Sequence, residues 1–151
     1  MTEPNFIAAY IADPSSKKEP LYLLLRRAER SYLPGIWQMV TGKIKAGEPA
    51  GVAAKREIRE ECGLYCSKLF NVDVTMFYEQ MKKRIAFSAN FCGYADQNAP
   101  VILSDKEHDS YKWCSFSEAL PLLAFPAQQE TLSFIHKHFV LQTPDPVNLI
   151  K

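Results

Sequence analysis

Along the chain the spacing of apolar and polar residues changes several times, and each change marks an element. "NFIAAYIA" (5–12) and "LYLLLRR" (21–27) are short apolar runs separated by the charged, turn-forming "DPSSKKEP". That is the pattern of two strands joined by a surface loop. "AERSYLPGIWQMVTG" (28–42) is broken by Pro34, Gly35 and Gly42 and reads as loop around a short strand. From Glu48 to Cys62 the period becomes helical, with Pro49 suited to the first turn and Gly63 to a C-terminal cap. Alternation then returns. Val72, Val74, Met76 and Tyr78 in one run, and Ile85, Phe87, Ala89 and Phe91 in the next, flank the charged "EQMKK" and predict a hairpin. Further strands are expected at "PVILS" (100–104) and "SYKWCSF" (110–116). Helices are expected at "SEALPLLA" (117–124) and "QQETLSFIHKHFV" (128–140), parted by Pro126. Strands dominate, one helix is embedded early and others close the chain, which predicts an α+β fold with a mixed β-sheet covered by helices.

The embedded helix carries the candidate chemistry. At about 100° per residue, with Glu57 at zero, Glu60 falls near about −60° and Glu61 near about +40°. Ala50, Ala53 and Ala54 share or border that arc, while Lys55, Arg56 and Arg59 lie on the other side. A solvated helix turns its alanines inward and its acids outward, so this arrangement fits that reading badly. Like charges three and four residues apart cost a few tenths of a kcal/mol each. Drying them costs more unless a cation compensates. Hard carboxylate oxygens on one face suit Mg²⁺ or Mn²⁺, which keep waters and substrate phosphates as their other ligands. The residues therefore predict a divalent-metal site.

The same stretch matches a known signature. Gly42, Glu48, Arg56, Glu57, Ile58, Glu60, Glu61, Gly63 and Leu64 fill every defined position of the Nudix box, G-x5-E-x7-R-E-U-x-E-E-x-G-U, where U is a bulky aliphatic residue. At average composition a chance match is on the order of one in a billion per starting position. The chain resembles a Nudix hydrolase, with one such domain expected over 1–151. The resemblance implies an α/β/α sandwich with the box as a loop–helix–loop, and hydrolysis of a nucleoside diphosphate linked to another group. By position it implies Glu57, Glu60, Glu61 and the Gly42 carbonyl as metal ligands, with Arg56 and Glu48 orienting the helix. One carboxylate prepares the attacking water, and the box does not fix which.

A second run, "KEHDSYKW" (106–113), resembles the E-H-x-x-Y-x-W of dihydroneopterin triphosphate pyrophosphatases and asymmetric diadenosine tetraphosphate hydrolases within that family. It implies Glu107 as an extra metal ligand or the base, and Tyr111 as a residue that shapes the pocket. Trp37 and Gln38 resemble the W-Q that precedes T-G in the triphosphate enzymes. Arg26 and Lys43 are candidates to hold phosphate, as are residues 82–84. His136 and His138 stand two apart and make a poor metal pair. The expected function is Mg²⁺-dependent cleavage of a nucleoside or pterin triphosphate to monophosphate and pyrophosphate. Two alternatives are a dinucleoside polyphosphate hydrolase and a nucleotide sensor without catalysis.

Composition narrows the partners. The formal charge of +1 argues neither for nor against a polyanionic partner, but the basic excess or stripe of a general nucleic-acid binder is not evident, and the partner that the resemblance implies is a small nucleotide-like diphosphate or triphosphate. Four cysteines without CxxC spacing are read as free thiols in a reducing compartment. No basic region precedes the first apolar residues and no apolar run could span a bilayer, so a cytoplasmic protein without a membrane partner is expected. No heptad or conspicuous exposed stripe specifies an oligomeric state.

Overall fold

The computed structural model describes residues 4–151, and the first three residues of the N-terminal stretch read above lie outside it. Strand β1 (Phe6–Asp13) organises the sheet. One edge pairs in parallel with β6 (Arg84–Tyr94) along Phe6–Ala12, and β6 pairs antiparallel with β5 (Lys68–Glu79). On the other edge, β1 pairs with β2 (Leu21–Arg27) only at Ile11, Ala12 and Asp13. The two strands then fork. Residues 37–43 fill the gap, pairing with β2 as β3 (Trp37–Gln38) and with β1 as β4 (Val40–Lys43). Strand β7 (His108–Ser115) covers the outer edge of β2. All pairings except β1 with β6 are antiparallel, so the sheet is mixed.

Side chains alternate between the faces of the sheet. Ile7, Ala9, Ile11, Leu23, Leu25, Val40 and Phe91 face α1 (Ala50–Cys62), which packs Ala53, Ala54, Ile58 and Cys62 against them. Tyr10, Ala12, Tyr22, Leu24 and Cys92 face the other way. They are covered by α2 (Phe116–Leu122), α3 (Pro126–Ile135) and a π-helical turn at His136–Val140. The result is the expected α/β/α layering. Ala53 and Ala54 are fully buried, and their small size lets the backbone of α1 lie close to the fork.

Several expectations are corrected. "PVILS" is not a strand. Its Ile102 N–H bonds the Cys62 carbonyl (3.0 Å) and its Ser104 N–H bonds the Glu61 carbonyl (3.2 Å). The end of α1 leaves carbonyls unsatisfied, and this segment supplies their donors. Gly63 ends the helix in the left-handed region, φ 69°. Pro49 is the N-cap, so the helix starts at Ala50. The terminal helix begins at Pro126 and becomes the π-helical turn at His136. The hairpin also departs from its reading: Val74, Met76, Tyr78 and Ile85 are more than half exposed because α1 does not reach over them, so an exposed apolar stripe is present after all.

The close seat of α1 sets the first prediction. Ala54→Leu forces extra volume into a filled contact and is expected to lower unfolding free energy by about 1–3 kcal/mol. Urea denaturation monitored by tryptophan fluorescence checks this.

Candidate functional site

The fork brings β4 over α1. A Cβ placed on Gly42 would lie 2.1 Å from Glu57 Cδ, so only glycine leaves that carboxylate its position. Around it Arg56 acts as a hub. Its Nε donates to Glu48 Oε2 (2.8 Å) and its Nη2 to Glu48 Oε1 (2.8 Å), a bidentate pair. Nη1 donates to Glu57 Oε1 (2.7 Å) and Glu60 Oε2 (3.3 Å), and Nη2 also to the Lys43 carbonyl (3.0 Å). The helical angle put Arg56 on the side away from the acids, but its long stem curls back across the acidic face. Its hydrogen bonds hold the Glu48 carboxyl down to about 2. Burial pushes Glu57 upward, against the pull of Arg56.

A second group lies one helical turn along. Glu61 is buried, and it is approached by Glu107, from the loop before β7, and by His108, the first residue of β7. One ligand atom from each falls within 4.8 Å of the others. The loop is pinned by its backbone: Glu107 and His108 N–H both bond the Ser104 carbonyl (3.1 Å each), and Ala28 N–H bonds the Glu107 carbonyl (2.8 Å). Burial and the neighbouring Glu107 raise Glu61, while the hydrogen bond from Glu61 lowers Glu107. Burial and the charge of Arg27 push His108 down to about 4, so its ring is neutral at pH 7. Gln38 Nε2 lies 3.1 Å from His108 Nε2. With the amide donating, Nδ1 carries the ring hydrogen and faces Glu61 Oε2 at 3.0 Å. The approach is off the hydrogen-bond line, and both atoms are otherwise buried without partners.

Among the residues singled out in the sequence, Gly42, Glu48, Arg56, Glu57, Glu60, Glu61 and Glu107 are gathered along one face of α1, with Glu60 at the exposed rim. Gln38 is buried and engaged with His108. Tyr111 is exposed and pairs with Leu25, as Gln38 does, so it shares the α1 side of the sheet. Trp37 and Arg26 pair with each other and lie on the opposite face, away from the carboxylates. Arg26 bonds Asp109 (3.1 Å), and Lys112 Nζ sits 5.5 Å from the Trp37 ring. Lys43 contributes its carbonyl to the cluster, while its exposed side chain belongs with Phe6 on the far face. His108 had no role in the sequence reading. Its place directly after Glu107 was the available signal, but nothing in the sequence shows its contact with Gln38.

The donor set fits a divalent cation. Buried Glu61, with an orphaned oxygen, and exposed Glu107 bring carboxylate oxygens within 4.8 Å of each other, an arrangement that suits a hard cation. Among the described residues, no helix is long and apolar enough to cross a membrane.

Comparison with known proteins places these features in context. A family model described as NUDIX domain matches residues 1–136. An octanoyltransferase of Myxococcus xanthus is 34% identical over 113 residues, which is 73% of this chain and 30% of that protein. The chain therefore spans less than a third of the length of this curated relative. The dihydroneopterin triphosphate pyrophosphohydrolase of E. coli superposes with a TM-score of 0.73 at 24% identity, covering 92% of this chain and 96% of that one. An Ap4A hydrolase of C. elegans superposes with a TM-score of 0.75 at 20% identity, covering 89% and 96%.

The neutral, buried His108 makes stability depend on pH. Its folded value of about 4 lies below the ordinary 6.5, so its contribution is complete above about 6.5 and is lost as pH falls toward about 4. In EDTA, the unfolding free energy is expected to fall by about 2 kcal/mol from this group between pH 7 and pH 5. His108→Gln should flatten that slope in paired urea titrations at the two pH values.

Proposed function

The chain belongs to the Nudix family, and on that premise we propose a divalent-metal-dependent pyrophosphohydrolase that cleaves a nucleoside or pterin triphosphate to the monophosphate and pyrophosphate. The observation that carries this reading is the convergence of Glu57 and Glu61, buried on α1, with Glu107 from a separate loop. Glu57, Glu61, Glu107 and the Gly42 carbonyl would hold Mg²⁺, or Mn²⁺ in its place, with Glu60 at the rim. Such an ion neutralises phosphate oxygens and acidifies water.

The protein's own groups do the rest. Arg56 fixes Glu57 and Glu60 relative to the loop through Glu48 and the Lys43 carbonyl. Gln38 and His108 back Glu61. Glu107 is exposed and held ionised, and it accepts the proton of the attacking water. Water oxygen bonds to phosphorus, the bridging P–O bond breaks, and pyrophosphate departs with the electron pair. Tyr111, on the α1 side of the sheet, remains a substrate contact, and Lys43 enters the site through its carbonyl. Gln38 acts through His108, and Trp37 and Arg26 take no part in holding phosphate. The Trp37-Gln38 pair ahead of Thr41-Gly42 supports a triphosphate over a dinucleoside polyphosphate.

Two measurements test the reading. With Mg²⁺, Glu57→Gln, Glu60→Gln and Glu61→Gln should each lower kcat by about a hundredfold or more while KM changes little. Unchanged turnover in these variants sinks the metal-carboxylate mechanism. Products from a panel of nucleoside triphosphates, dihydroneopterin triphosphate, diadenosine tetraphosphate and ADP-ribose should be a monophosphate plus pyrophosphate. Asymmetric dinucleotide cleavage would point to the polyphosphate hydrolase, and no hydrolysis at all to a sensor.

A further inference from the structure

Beyond the reach of α1, the hairpin of β5 and β6 leaves one face of the sheet uncovered among the described residues. The register shows which side chains stand on it. Val74 pairs with Ala89, Met76 with Phe87 and Tyr78 with Ile85. Directly opposed residues share a face, and Ala89 belongs to the core beneath α1, so all six are on the α1 side. Ala89 is buried and Phe87 half-buried, whereas Val74, Met76, Tyr78 and Ile85 are 55%, 68%, 55% and 59% exposed.

Scattered apolar residues are ordinary on a protein surface, but a contiguous row is not. These four present on the order of 400 Å² of apolar surface, the size at which a patch usually serves a contact. None of the six residues is charged, so the face offers nothing to a partner of opposite sign and is complementary to its own copy. The layering fits as well. Helix α1 fills a layer above β1 and β4 and stops short of the hairpin. Sheets pack face to face at about 10 Å, so a second hairpin fits the layer that α1 leaves open. Two such faces with their rims remove on the order of 1,000 Å² from water, the lower bound of a specific interface.

We propose that two copies of this chain pack these hairpin faces together across a two-fold axis. Each copy contributes the same row, so the contact uses up both and closes at a dimer. The carboxylate cluster lies on the other side of β1, at β4 and β7, so the pairing leaves it uncovered. Dimerisation of this kind is independent of the hydrolysis proposed above.

Sedimentation velocity over a range of protein concentrations tests the dimer. For so small an interface the native protein should dissociate with a constant of about 10 μM. A substitution on a two-fold contact acts twice, so Met76→Lys and Ile85→Lys each bring two like charges into a drying interface. Both variants should stay monomeric at about 100 μM, tenfold above the native dissociation constant. Both side chains are exposed in the single chain, so the melting temperature of dilute variant should match that of dilute native protein. Leu141→Lys is the control: Leu141 is 61% exposed at the end of the π-helical turn on the opposite face, and its variant should dimerise like the native chain. A native protein still monomeric at about 100 μM overturns the proposal. So does a dimer that survives both hairpin substitutions, or one that Leu141→Lys abolishes equally. Growth beyond two copies would put an open contact in place of the two-fold and overturn it as well.

Discussion

One guanidinium holds the carboxylate site together. Arg56 joins the loop, through Glu48 and the Lys43 carbonyl, to the helix, through Glu57 and Glu60. Five carboxylates (Glu48, Glu57, Glu60, Glu61 and Glu107) cluster on this side of the sheet, and Arg56 is bonded to the first three. Removing it would leave Glu57 buried beside other acids, and an unpaired charge at such a site costs several kcal/mol. Glu61 and Glu107 are bonded to no such cation and feel only the charge of Arg27 nearby, and burial beside Glu107 pushes Glu61 upward. Half of the cluster is therefore neutralised by Arg56, and half is not. The two halves explain why the helix keeps acids on the face that also carries its smallest residues.

How legible this was in the sequence depended on the distance over which each interaction acts. The acidic face of α1 is a matter of helical angle, and Gly42 to Glu61 is local, so both could be read directly. The helical angle put Arg56 on the side away from the acids while the motif paired it with Glu48, and its bonds to Glu57 and Glu60 could not be read because an angle locates a Cα, not the end of a long stem. Trp37 and Gln38 are neighbours, yet they face opposite sides of the sheet, and only the pairing register decides which side each takes. "PVILS" has strand composition, but the carbonyls at the end of α1 claim its donors. The alternation in β5 predicted a half-buried strand, and no feature of that segment could show that the covering helix stops short of it. The contact of His108 with Gln38 spans 70 positions and is set by the fork.

The fork also explains why two opposite electrostatic environments can lie so close. Strand β4 ends between them: Gly42 faces Glu57, and the next residue, Lys43, turns its side chain to the far face. Alternation along a strand thus separates an acid-lined face from the cations Lys43, Lys45, Lys82 and Arg84 across a single peptide unit. Their burial differs as well: Glu57 and Glu61 are buried and held by short contacts, whereas Lys43, Lys45 and Lys82 are exposed on flexible stems. The loop at 43–47 joins the two, and its anchors at Gly42, Asn5 and Arg56 keep them in one frame.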